Sequence, residues 1–239
     1  RNYTACMVGM AIGGGILSST RAMFPLMLQG LFLYSAYDSG LIMGPAGIGS
    51  VLMITVFARL ANRVDLRIFI AIGAVLTGYS MWMMTAQNLH AGYDLVVWAN
   101  FVNGAGMILF MSPMSALAFS TLPHKLLNEG GTFFYLARNI GGGFAIAISQ
   151  AMLTRSSSTM HANLTDHITA YNLPFEGLSG PPELATTLLN AEMTRQAAMV
   201  GYINVFLMWC LVIMATIPFI LLLRAKRKDA ADQPDMVME

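Results

Sequence analysis

The chain has 239 residues, of which 56% are hydrophobic and only 10% charged, with a formal net charge of +1 and a mean hydropathy of +0.62. A soluble domain carries about 25% charged residues and 45–50% apolar ones, so this composition excludes an ordinary water-soluble fold. Its basic residues are spread through short segments rather than gathered in a groove, which argues against a nucleic-acid partner and makes the lipid bilayer the expected surroundings.

A helix needs about 20 predominantly apolar residues to cross about 30 Å of hydrocarbon. Six stretches have that length: 4–33, 39–58, 68–86, 95–122, 132–153 and 198–223. No barrel-like alternation runs through them, and backbone groups in lipid must pair within their own segment, which forces helices. The expected fold class is therefore all-α, a polytopic membrane helix bundle with six transmembrane helices. An outer loop is expected at 154–197, with a short amphipathic helix at 184–195, and a cytoplasmic tail at 224–239. The chain opens Arg1-Asn2-Tyr3-Thr4, with neither an initiator Met nor a signal-peptide layout, and is expected to begin partway through a larger protein.

In the first stretch, Arg21 stands about 18 Å from the outer end of the helix. A buried arginine costs at least about 2.5–3.5 kcal/mol on insertion scales, so it must face a cavity, an anion or a carboxylate. Two readings fit: a substrate-pathway residue, or a structural ion pair. Pro25 follows one turn later and predicts a kink or a partly unwound segment, with Gln29 a further turn on. Pro45 predicts a second kink, among the glycines of 44–49. The segment 58–67 packs Arg59, Arg63, Asp65 and Arg67 between two apolar runs.

The fourth stretch carries Asn100, Asn103, Met107 and Met111 at three- and four-residue steps, continued by Ser115. Amides in a membrane helix point at protein or water rather than lipid. The stripe is either a cavity lining, with adaptable methionines, or a helix–helix interface. Gly104 beside it favours close helix packing. In the fifth stretch Arg138 lies about 9 Å from the cytoplasmic end, within snorkelling reach of the interface. Asn139 is a further pathway candidate, and Gly141, Gly142 and Gly143 are expected to serve helix packing.

Orientation follows from the 13 basic residues. With both ends inside, nine lie on the cytoplasmic side (Arg1, Arg59, Arg63, Arg67, Lys125, Arg224, Lys226, Arg227, Lys228) and two outside (Arg155, Arg195). No Asp or Glu lies deep in any stretch, and all four histidines are placed in loops, so this segment has no evident proton carrier. Cys6 and Cys210 sit in apolar runs and suggest neither a disulfide nor a metal site. No cofactor and no catalytic residue is expected. An intramembrane protease would need a serine–histidine or paired-aspartate arrangement inside the membrane, which is missing.

Taken in order, these motifs resemble the C-terminal half of the major facilitator superfamily, in its fourteen-span drug:proton antiporter branch, which includes the EmrB and QacA proteins. Segment 58–67 resembles the branch's Gly-x-Leu-x-Asp-Arg-x-(Gly/Asp)-x-Arg through Leu60, Arg63, Asp65 and Arg67, with Ala58 for the usual Gly and Asn62 for the usual Asp. Pro25-Leu26-Met27-Leu28-Gln29 is similar to Pro-x-x-Leu-Gln, and Tyr34-Ser35-Ala36 with Gly40-Leu41 and Pro45 to the stretch that follows it. Arg138-Asn139-Ile140-Gly141-Gly142 is similar to Arg-x-x-Gly-Gly. The resemblance implies export of amphipathic drugs in exchange for protons by alternating access between two six-helix halves. It also implies proton-coupling carboxylates in an N-terminal half, a cytoplasmic gating role for the 59–67 loop, and an inner-membrane location. A periplasmic adaptor and an outer-membrane channel are the implied further partners. Arg21 falls outside the family pattern and points to anionic amphiphiles. The alternative is a non-catalytic membrane anchor or sensor bundle.

Overall fold

The computed structural model describes residues 2–61, 63–87, 93–120, 122–167 and 182–221. Among them are six α-helices: α1 (Asn2–Gly30), α2 (Ala36–Leu60), α3 (Leu66–Thr85), α4 (Tyr93–Phe119), α5 (Leu127–His167) and α6 (Pro182–Leu221). A short 3-10 turn, His124–Leu126, leads into α5.

Successive helices run up and down. Contacts between α1 and α5 climb together along both chains, from Tyr3 Oη donating to the Gly130 carbonyl at 2.6 Å to Ser19 Oγ at 2.6 Å from Ser149 Oγ, so these two helices are parallel. Against α4 and α6 the order reverses. Gly9 lies against Met114 and Gly13 against Phe110, while Phe24 meets Phe206 edge-on with ring centroids 6.5 Å apart. Helix α1 thus sits at the centre of the bundle, and α3 packs behind it on α4 and α6. The core is filled by Phe24, Phe110, Phe134, Phe206 and a set of methionines, all nearly inaccessible.

Four helices are long and apolar enough to cross a membrane: α2, α3, and the segments Asp94–Phe119 of α4 and Asn190–Pro218 of α6. Helices α1 and α5, at 29 and 41 residues, have the length, but glycines and polar side chains dilute their apolar character. Those groups largely face each other. A Cβ on Gly15 would come 3.0 Å from that of Ala145, and one on Gly142 would come 2.7 Å from Ser18 Oγ. Dilution by small and polar residues is what close backbone packing in a low-dielectric bundle requires.

The connections depart from the sequence expectation in three places. Residues 154–167 and 182–197, expected as loop, are helix: α5 continues to His167 and α6 begins at Pro182. The segment 184–195 is therefore the first turns of α6, not a separate amphipathic helix. His161, placed in a loop by hydropathy, lies on α5 and reaches Asn190 of α6 at 3.0 Å. Forty residues of helix span about 60 Å, twice the hydrocarbon thickness of a bilayer. Arg195 of α6 donates from Nε to the Leu31 carbonyl at 2.9 Å, where a cation complements the C-terminal end of α1. Of the two outcomes expected at Pro25, a kink or a partly unwound segment, the unwinding is absent: α1 is helical through Pro25 to Gly30, as α2 is through Pro45. The tail 224–239 lies outside the described residues.

Candidate functional site

A cleft of about 460 Å³ opens among α1, α2, α4 and α5. Helix α1 presents Met10, Leu17, Thr20, Arg21 and Phe24 to it, and α2 presents Met43, Ala46, Gly47 and Ser50. Helix α4 forms the longest wall, from Asn100 and Asn103 through Met107 and Met111 to Ser115, and α5 adds Tyr135 and Arg138. The α4 residues follow one another at three- and four-residue steps, so a single face of that helix looks into the cleft. The stripe singled out in the sequence thus lines a cavity.

Close helix approach shapes the walls. A Cβ on Gly104 would collide with the backbone of Ala46, and one on Gly49 with the Phe101 carbonyl, so α2 and α4 touch main chain to main chain. Gly141 lies in the same way against the backbone of Ala11 on α1, and Gly142 against Ser18. Gly143 differs: it is exposed and nothing stands within 4 Å of its would-be Cβ, so it takes no part in packing.

The cleft's polar groups divide by what they already bond. Thr20 Oγ1 donates to the Ile16 carbonyl at 2.7 Å, Ser115 Oγ to that of Met111 at 2.9 Å, and Ser50 Oγ to those of Ala46 and Gly104 at 2.8 and 3.0 Å. Asn100 Nδ2 donates to the Val96 carbonyl at 3.2 Å. Asn103 is only 6% exposed, and its Nδ2, itself buried, has no acceptor among the described residues. Arg21 and Arg138 make no hydrogen bond or ion pair with any described residue. No carboxylate is among the lining side chains.

Arg138 was read from sequence as reaching for the cytoplasmic interface, yet its side chain lines the cleft. Its stem lies over Gly14, where a Cβ would meet Arg138 Cγ at 2.6 Å. Gly14 precedes Arg21 by two turns, about 10 Å along the same face of α1, so both guanidiniums stand along one wall. Hydropathy could not show this, because it depends on the register between two helices over 100 residues apart. Tyr135, one turn before Arg138, was missed for the same reason. Two sequence candidates stand apart: Gln29 and Asn139 are exposed and do not line the cleft. Asn139 is one residue past Arg138, and a single helical step turns the side chain by about 100°.

The 59–67 segment lies elsewhere. Arg59 closes the last turn of α2, while Arg63 and Asp65 are exposed. Asp65 occupies the N-cap of α3 without a side-chain capping bond. It forms no ion pair with the neighbouring arginines among the described residues, whose one ion pair is Arg195–Glu192 at 3.7 Å. Arg67 buries Nε and Nη2, the edge of a guanidinium that suits bidentate binding, with no acceptor among the described residues. Asn62 lies outside the described residues.

Behind the cleft, Trp209 of α6 donates from Nε1 to Ser19 Oγ at 3.0 Å and to Ser149 Oγ at 2.9 Å. This buried knot ties α1, α5 and α6 together one residue from Thr20 and two from Arg21.

No family model matches the chain. It is 23% identical over 231 residues to the fatty acid resistance protein FarB of Neisseria gonorrhoeae, covering 92% of this chain and 45% of that protein. The multidrug export protein EmrB of Escherichia coli is 23% identical over 217 residues, 87% of this chain and 42% of its own length. The colistin resistance protein EmrB of Acinetobacter baumannii is 25% identical over 175 residues, 73% and 34% respectively. The chain spans less than half the length of these curated relatives, matching their C-terminal part. The kinship carried by the loop and helix motifs is the one these comparisons return: over most of its length the chain is similar to multidrug-efflux transporters of the major-facilitator type.

Proposed function

We propose that the chain forms the C-terminal six-helix half of a secondary exporter of drug-like amphiphiles, with α1–α6 all crossing the inner membrane and both ends of the segment cytoplasmic. An N-terminal half faces the cleft, and alternating access between the halves, driven by inward proton flow, moves substrate outward. A periplasmic adaptor and an outer-membrane channel extend the route. The observation that carries this reading is the cleft itself. Two arginines and two amides converge on a cavity in an otherwise apolar bundle, a cost that a mere anchor or sensor has no reason to bear. Its flanks support a second half: α2 exposes Leu41, Ile48, Val51 and Leu52, and α5 exposes Phe133, Leu136, Ile140 and Phe144. Lipid covering the mouth between them would desolvate Arg21, whereas a second protein half keeps the mouth polar. The relatives are named for multidrug export, fatty acid resistance and colistin resistance, which fixes no single substrate chemistry.

The test is proton-gradient-driven efflux of a fluorescent amphiphile from vesicles holding the full-length protein. Movement that collapses with the gradient supports exchange; indifference to it removes the proton. In the same vesicles Arg63→Ala or Asp65→Ala should slow efflux by roughly 5-fold or more, the effect of about 1 kcal/mol on a conformational equilibrium, at unchanged membrane yield. Normal efflux from both variants would end the gating role of the loop.

A further inference from the structure

We infer that the cleft selects amphiphiles with an anionic headgroup, held between Arg21 and Arg138. This rests on the reading of the cleft as a substrate site and adds the charge of what it takes. The hydroxyl protons of Thr20, Ser50 and Ser115 are already given to helix carbonyls. What remains to donate is two guanidiniums and the hydroxyls of Ser112 and Tyr135, none with an acceptor among the described residues.

Arg21 is exposed at the mouth of the cleft and Arg138 is half-buried in it; with no carboxylate among the described lining residues, the acceptor these two charges favour is an oxyanion. Guanidinium geometry favours planar or tetrahedral oxyanions: carboxylate, sulfonate, phosphate. A cation entering the same cleft would meet like charge without relief. The rest of the lining suits a variable apolar body, since Met10, Met107 and Met111 adapt their shape and Tyr135 offers an exposed aromatic surface. Arg21 and Arg138 fix the head; the methionines tolerate the tail.

Three probes with one apolar body separate the possibilities: pyrenebutyrate, pyrenebutanol and pyrenebutyl-trimethylammonium. Each is titrated against the full-length protein in nanodiscs of zwitterionic lipid. The anion should bind at least about 10-fold tighter than the cation. Arg21→Gln and Arg138→Gln should each weaken the anion about 10-fold while pyrenebutanol stays within about 2-fold, and Arg21→Lys should keep part of the preference. Asn103→Asp, which alters charge with little change in shape, should weaken the anion and strengthen the cation. Equal affinity for anion and cation overturns the inference, and so does anion binding unchanged in the Arg21→Gln/Arg138→Gln double variant. Efflux is read in parallel. Gradient-driven export of the alcohol or the cation, with no anion preference, sinks the charge selection and leaves transport standing. Arginine-dependent anion binding without movement of any probe does the reverse.

Discussion

Gly104→Val is expected to leave little folded protein in the membrane and to lower the thermal midpoint of what remains by about 2–12 °C. The reason is geometric. The would-be Cβ at 104 falls on the main chain of Ala46, and the reciprocal one at Gly49 falls on the main chain of Phe101. A side chain in the way can swing to another rotamer, but backbone cannot, so α2 and α4 would have to separate along their whole contact. Overpacking of this kind costs about 1–3 kcal/mol or more, and in a chain of this size each 1 kcal/mol lowers the midpoint by about 2–4 °C. Helix α2 has little else to hold it: only 11% of its apolar window is buried, and α4 is its main partner. Separation would also break the Ser50 bond to the Gly104 carbonyl. Gly143→Val is the control, because a Cβ there meets nothing; its yield and midpoint should match the parent. Equal losses at 104 and 143 would mean that the loss comes from helix propensity or insertion, and that the α2–α4 contact is not what holds this wall.

The contrast between those two glycines shows what the sequence can and cannot convey. Both sit in apolar helices beside polar candidates, and nothing local distinguishes them; their difference is the register of a partner helix. The same holds for the site. Arg21, Asn100 and Asn103 were legible because a polar group in a lipid-crossing stretch needs a destination, and the i, i+3, i+4 spacing on α4 says that several share one. Arg138 was assigned to the interface on its depth alone, because the chain cannot show that Gly14 leaves room for its stem. Gln29 follows Arg21 by eight residues, two turns that drift about 80° round the helix, and Asn139 rests on motif position, a likeness that carries no rotation about the helix axis. The ends of α5 and α6 were read as loop because hydropathy detects lipid contact and not helicity. A polar stretch of helix looks like loop until its partner, here His161 against Asn190, is seen beside it.

Trp209→Ala is expected to cost about 3–5 kcal/mol and Trp209→Phe about 1–3 kcal/mol, and the size of that gap decides what the indole does. Its Nε1–H serves two buried hydroxyls at once, at 2.9 and 3.0 Å, while those hydroxyls stand 2.6 Å from each other. With phenylalanine at 209 the serines keep each other and lose the shared donor. Interhelical hydrogen bonds within membranes average only about 0.6 kcal/mol in double-mutant cycles, so most of the loss on truncation to alanine must come from the vacated volume between α1, α5 and α6. Thermal melts of the full-length protein in detergent give the ordering parent, Ser149→Ala, Trp209→Phe, Trp209→Ala. A cycle on Trp209→Phe and Ser149→Ala should return a coupling of about 0.5–1 kcal/mol, since the two share one bond. The consequence reaches the cleft. Ser19 is two residues from Arg21, so a looser knot gives α1 freedom to turn, and anion affinity in Trp209→Phe should fall by roughly 2- to 5-fold with both arginines intact. Unchanged affinity alongside the lowered midpoint would show that the knot holds the bundle together without setting the position of Arg21.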